Sequence, residues 1–116
     1  MTVDLQPGAV VWAEFGPGLG REQAGRRPAL VVSSHDHLEI AAAIATVVPC
    51  TSRDRRWPNH LRLEGPTTLP IPTFAMTEQV RTLSRERIVR HAGFVDETCL
   101  HDVIAWCRRW MTGSRQ

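Results

Sequence analysis

Only one long stretch of this sequence carries the period of a helix. From Leu100, the apolar residues Val103, Ile104, Cys107 and Met111 recur at i+3, i+4, i+7 and i+11, which places them on one helical face. Asp96 precedes them as a natural N-cap, and Glu97 suits the positive end of the helix dipole. Arg108 and Arg109 fall near the other end, where cations are favoured. The spacing predicts a C-terminal helix over about 96–111. Trp106 and Trp110 widen its apolar stripe beyond what one small sheet needs, so the stripe is either a thick core contact or a subunit or partner interface.

Everything before that helix is short and apolar, cut by Gly and Pro. Ala9 to Phe15, Pro28 to Ser33, Ile40 to Thr51, His60 to Glu64, Thr73 to Leu83 and Arg90 to Val95 all read as strands. The fifth has a bend near Gln79. Ser34 to Glu39 reads as a polar connection, and Ser84-Arg-Glu-Arg as one capped helical turn. Gly65 to Pro72 carries three prolines and is expected to be irregular. Several short strands and one terminal helix make an α+β, β-rich fold, a small, strongly bent sheet or barrel with an appended helix. At 116 residues, the chain is expected to form a single domain over 1–116, large enough for a core without staples.

Composition removes several chemistries. All fourteen basic residues are Arg and there is no Tyr, so a lysine Schiff base, a P-loop lysine and a tyrosine nucleophile are all excluded. Net charge is only +2, so a nucleic-acid partner depends on whether the arginines cluster. Cys50, Cys99 and Cys107 are odd in number and match no zinc spacing, which suits a reducing cytoplasm. The N-terminus has neither the charged nor the apolar region of a signal peptide, and the longest uncharged run, Ile40 to Ser52, is too short to span a membrane.

Several motifs fail on inspection. Gly16-x-Gly18-x-Gly20 has Arg21 where a dinucleotide loop needs Gly. His37-x-Glu39 with Pro49-Cys50 lacks the second Cys of a zinc deaminase, because position 53 is Arg. His35-x-His37 has no third ligand nearby, and there is no Gly-x-Ser-x-Gly elbow. No metal or other cofactor is expected.

Two segments stand out from ordinary loops. Gly20 to Pro28 (GREQAGRRP) sets Glu22, Gln23, Arg26 and Arg27 between two strands. Pro49 to Pro58 (PCTSRDRRWP) adds Thr51, Ser52, Arg53, Arg55, Arg56 and Trp57 at the end of the long apolar run. With Arg21, these loops hold six of the fourteen arginines. Guanidiniums interleaved with an aromatic suit single-stranded nucleic acid, the cations holding phosphates and Trp57 stacking on a base. Composition alone favours a plainer picture, a solvated charged loop with Trp57 packed inward.

The order of these segments resembles the MazF/PemK family of toxin ribonucleases. Gly20-x-Glu22-Gln23-x-Gly25-x-Arg27-Pro28 resembles the family's signature loop and is followed by an Ala-Leu-Val-Val strand. Six fixed positions at roughly 5–7% each match by chance on the order of once in ten million starting points. Val48-Pro-Cys-Thr-Ser52 resembles the next block, and Glu78-Gln-Val-Arg-Thr-Leu83 with Arg85-Glu-Arg87 a third. The resemblance runs from residue 8 to residue 111. Arg21, the proline-rich stretch and the arginine-rich second loop depart from the pattern, and none is expected to touch the chemistry.

The resemblance implies an SH3-like barrel with a C-terminal helix, a homodimer, and a cytoplasmic toxin that cuts single-stranded RNA at specific sequences without metal. It also implies an acidic, partly disordered antitoxin as partner. Its catalytic positions map onto Arg27 and Thr51, with Glu22 contributing. Gln23 and Gln79 match motif positions and stand as candidate RNA contacts, beside Arg26, Ser52, Arg53, Arg55, Arg56 and Trp57. RNA supplies its own nucleophile, the 2′-OH, so the protein needs only a base, a charge stabiliser and a donor to the leaving oxygen. His60 is a second candidate base, although a strand residue facing water is the favoured reading. The alternatives are a gyrase-poisoning toxin on the same scaffold, which lacks the Arg/Thr pair, and a module that binds without cutting.

Overall fold

The computed structural model describes residues 3–16 and 25–112. Seven strands, β1 (Ala9–Glu14), β2 (Arg26–Val31), β3 (Ile44–Thr51), β4 (His60–Arg62), β5 (Phe74–Met76), β6 (Arg81–Ser84) and β7 (Ile88–Phe94), form one antiparallel sheet. The order is β4-β5-β3-β2-β1-β7, with β6 also paired to β3. Two helices complete the fold, α1 (His35–Ile40) and α2 (Glu97–Thr112). The α+β, β-rich expectation holds.

The strand sequences are apolar on both sides because both faces of the sheet are covered. Val11, Ala13, Ala29, Val31, Ala45 and Val47 face one way, into a cluster that Leu5, Phe15 and Leu38 close. Val10, Leu30, Val48, Cys50, Ala75 and Ala92 face the other way, against Cys99, Val103 and Cys107 of α2. The helix lies as its period predicts. Asp96 Oδ1 accepts the Cys99 N–H at 2.8 Å, the expected cap.

β3 is the hinge of the architecture. One edge pairs with β2; the other is shared, its first half by β6 and its last two residues by β5. A 3-10 turn at Thr77–Gln79 separates β5 from β6 and takes up three residues that the pairing with β3 does not use. The single bent strand expected over Thr73 to Leu83 is therefore two strands, with the break at the bend near Gln79.

Two other expectations change. Ser34 to Glu39 is not a bare connection: Ser34 caps α1, its Oγ accepting the His37 N–H at 3.1 Å. The long strand starts at Ile44 rather than Ile40, and Ile40 ends α1 with its side chain 82% exposed. Short turns capped by Ser and carrying mixed residues show no helical period, which is why α1 escapes the sequence pattern.

The proline-rich stretch closes the sheet on itself. After β4, Thr67 bridges Gly93 of β7, the far edge strand. The Phe94 N–H donates to Pro66 O at 3.0 Å, Thr68 N–H to Ala92 O at 2.8 Å, and Asp96 N–H to Glu64 O at 2.8 Å. Gly65 and Gly93 have φ of 141° and 124°, and a Cβ on either would run into backbone of the facing segment. The segment is a strap tying the two edges together, and the bent sheet becomes a small barrel. No helix among the described residues is long and apolar enough to cross a membrane.

Candidate active site

The β2–β3 ladder sets the site. Ala29 stands opposite Pro49 and Val31 opposite Val47. Two residues further in the same register come Arg27 and Thr51, the two positions that the family resemblance marks as catalytic. Both line one cleft of about 390 Å³ at that end of the sheet. Gly25, Arg26, Pro28 and Ser52 line it too, so the close of the first arginine segment and the start of the second meet there. Glu22 and Gln23 lie outside the described residues.

Thr51 is 8% exposed, and its Oγ1 accepts the Arg53 N–H at 3.2 Å. An oxygen already accepting leaves its own hydrogen to be donated to a ligand. Arg27 is half-buried on β2 opposite Ala13 of β1. Beside it, Arg26 is more exposed and is paired: its Nη2 and Nε reach the same oxygen of Glu14 at 2.7 and 3.0 Å.

The rest of the second arginine segment is built differently. Arg53, Arg55, Arg56 and Trp57 are not among the residues lining the cleft. Asp54 Oδ1 accepts the Arg56 N–H at 2.9 Å across a turn in which Arg56 has φ 60°. Trp57 packs on the His60 ring at 4.7 Å between centroids, and Arg55 lies 5.7 Å from the Trp57 ring. Glu78 then clasps the loop's end, accepting from Asn59 Nδ2 at 2.8 Å and meeting His60 Nε2 at 2.9 Å. Thr77 Oγ1 donates to Asn59 O at 2.8 Å and receives Trp110 Nε1–H from α2 at 3.1 Å. Gln79 ends the same 3-10 turn, half-buried and away from the cleft lining.

His60 is thus not a strand residue facing water. Its side chain is 1% exposed, with Nε2 held by Glu78 and Nδ1 buried without a partner. His60 opens β4 and faces Glu78 in the 3-10 turn that follows β5, and it does not line the cleft. It is a fastening of the loop rather than a base.

The cysteines offer no nucleophile. All three are free and buried. Burial pushes the Cys50 and Cys99 thiols up, and that of Cys107 to about 11, far from a thiolate at neutral pH.

Sequence reasoning missed the cleft's apolar walls. Trp12 forms one, opposite Pro28 in the β1–β2 register. Pairing the first two strands, which meet at Gly16 and Gly25, is the signal that finds it. Leu69, Pro70 and Ile71 of the strap form the other, with Thr73 at the entry to β5 beside them. The proline-rich departure therefore does reach the site. Its placement comes from the Thr67–Gly93 bridge, which no local pattern announces.

Comparison with known proteins places the chain in a family and matches its fold. The family model for the PemK-like, MazF-like toxin of type II toxin–antitoxin systems matches residues 6–110. An endoribonuclease of Mycobacterium bovis, MazF2, is 29% identical over 103 residues, spanning 86% of this chain and 90% of its own. The endoribonuclease toxin MazF of Escherichia coli is 31% identical over 77 residues, 66% of each chain. The crystal structure of MazF from Deinococcus radiodurans superposes with a TM-score of 0.79 at 28% identity, covering 95% of this chain and 97% of that one. The chain belongs to the PemK-like, MazF-like family of type II toxins.

Proposed function

We propose that this protein is a toxin that cuts single-stranded RNA at specific sequences without a metal ion, leaving 2′,3′-cyclic phosphate and 5′-OH ends. The observation that carries the reading is the meeting of Arg27 and Thr51 in one cleft, from two different strands. The relatives named as endoribonucleases support it.

The RNA 2′-OH attacks the adjacent phosphorus, and the bond to the 5′-oxygen breaks. Charge gathers on the non-bridging oxygens. A guanidinium at Arg27 meets two of them at once, and its pKa above about 12 keeps it cationic throughout. The Thr51 hydroxyl adds a neutral hydrogen bond, aimed by the Arg53 N–H that occupies its oxygen. Glu22 takes the 2′-OH proton, and Arg27 hydrogen-bonds the leaving 5′-oxygen as that oxygen takes up a proton from water. Fixed cations supply the charge stabilisation that a metal ion provides elsewhere.

The protein acts in the cytoplasm as a homodimer, held in check by an acidic, partly disordered antitoxin laid over the basic groove. A Deinococcus radiodurans MazE–MazF complex, 26% identical with a TM-score of 0.73, supports the pairing. Purified protein should cut a mixed-sequence single-stranded RNA in EDTA, while Arg27→Ala, folded to the same extent, should lose about 10²-fold or more in rate. Cutting by Arg27→Ala at the native rate would overturn the site assignment.

A further inference from the structure

The strap is the part of the cleft that the proposed chemistry leaves unused. It lies between two anchors. On one side are its hydrogen bonds to β7, and on the other the entry into β5, where the Leu63 N–H donates to Thr73 O at 2.8 Å. Within it, Leu69 packs on the core cluster beneath, and the Thr73 hydroxyl donates to Ile71 O at 3.0 Å. Pro70 and Pro72 restrict φ on either side of Ile71. Ile71 is therefore presented by a braced backbone, yet it is 56% exposed. A β-branched residue held out at the lip of a cleft costs solvation unless something covers it.

The other wall complements it. Trp12 is partly buried, with the Arg90 guanidinium 5.8 Å from its ring centre. Arg26 and Arg27 sit at the same cleft, and its 390 Å³ lies within the range of about 300–1,000 Å³ typical of small-ligand sites. One flank is cationic and suits a phosphate. The other two are apolar and flat or branched, and suit the face and edge of a planar base.

We propose that the strap, through Ile71, is a base-selecting wall: the nucleobase beside the scissile phosphate lies between Trp12 and Ile71 while Arg27 and Thr51 hold the phosphate. This rests on the nuclease reading above. Leu69, Pro70 and Ile71 have no side-chain donor or acceptor, so the wall selects by size and stacking. It separates purine from pyrimidine at one position of the recognised sequence.

The test compares cut-site profiles of the native protein and Ile71→Ser on a pool of random-sequence single-stranded RNA. The readout is a ratio between sequences that differ at one position, so a general loss of activity does not move it. The purine-to-pyrimidine preference at one position next to the cut should relax by about tenfold, the scale on which a small apolar contact discriminates. Ile71→Val should relax it less, and Pro70→Gly, which loosens the brace, should act at the same position. Unchanged preferences at every position in Ile71→Ser would overturn the proposal. Sequences retained from the same pool by Arg27→Ala, with and without Ile71→Ser, give a second readout that needs no cutting. If the native protein cuts nothing, the nuclease reading falls, and the strap stands or falls on whether that retained preference relaxes.

Discussion

The two arginine-bearing segments look alike in sequence and end in different physical situations. Gly25 to Pro28 runs straight into β2, and its guanidiniums stand over a cleft. Arg53 to Trp57 leaves the same cleft at Thr51 and turns away. It is fastened by Asp54, by the Trp57–His60 contact and by Glu78. A strand end fixes a cation to within the freedom of its side chain, which is what transition-state stabilisation needs. A clasped loop fixes a platform that can hold a length of strand without touching the reacting atoms. The proposed function assigns chemistry to the first segment and affinity to the second.

The largest expected effect breaks the comparison if it fails. Arg27→Ala should lower kcat by about 10²-fold or more, as removal of a positioned transition-state donor does. Arg55→Ala should leave kcat near native and raise KM. Steady-state kinetics on one RNA substrate check both, and equal losses of kcat would erase the division between cleft and loop.

Glu78 comes next. It is the one carboxylate meeting both Asn59 and His60 among the described residues, and it leaves buried His60 Nε2 unpaired if removed. Glu78→Ala should destabilise the fold by roughly 1–3 kcal/mol, the cost of stranding a buried polar group. Thermal melts measure that. At a temperature where the variant stays folded, RNA affinity should fall while the kcat of bound substrate holds. A variant that bound RNA as tightly as the native chain would show that the clasp does not shape the platform.

How much of this was legible beforehand follows from the range of each interaction. The C-terminal helix was legible because its apolar stripe repeats five times and its cap is local. Arg27 and Thr51 stand out as candidates because each sits in a block with fixed neighbours. Their meeting also follows from pairing two strands whose apolar runs are clear. His60 was misplaced because alternation in His60-Leu-Arg-Leu-Glu64 says which residues share a face. It does not say that Glu78, eighteen residues on, waits on the inner one. The strap was legible only as irregular. Its role depends on Thr67 meeting Gly93 across the closed sheet, a pairing of high sequence separation with no periodic trace. Short α1 was missed because six residues do not complete two helical turns.

A subtler effect separates the segments by salt. If Arg53, Arg55 and Arg56 hold phosphates, replacing all three with Gln should flatten the dependence of log affinity on log salt. For single strands, the slope changes by about 0.7 for each phosphate that the protein no longer neutralises. Binding isotherms across a salt series with Arg27→Ala as the uncut background measure it. An unchanged slope would mean that the loop's cations stand clear of the RNA and that Trp57 alone gives the platform its hold.

The smallest effect concerns Arg26, which sits in the cleft yet is already paired. Both of its donors go to one oxygen of Glu14, with the two side chains 56% and 41% exposed. An exposed pair of this kind contributes at most about 1 kcal/mol to stability, and often nothing. Glu14→Gln should therefore leave the melting temperature nearly unchanged. Its effect falls on the site, because the substitution removes the negative charge beside the cleft and frees the guanidinium to turn toward the phosphate. RNA affinity should rise by a few-fold at low salt and converge with the native value as salt screens the difference. If affinity falls instead, the Glu14 carboxylate is holding Arg26 in the orientation that the RNA uses. The pair would then belong with Arg27 and Thr51 as prearranged machinery, and the line between chemistry and affinity would have to be drawn one residue further out.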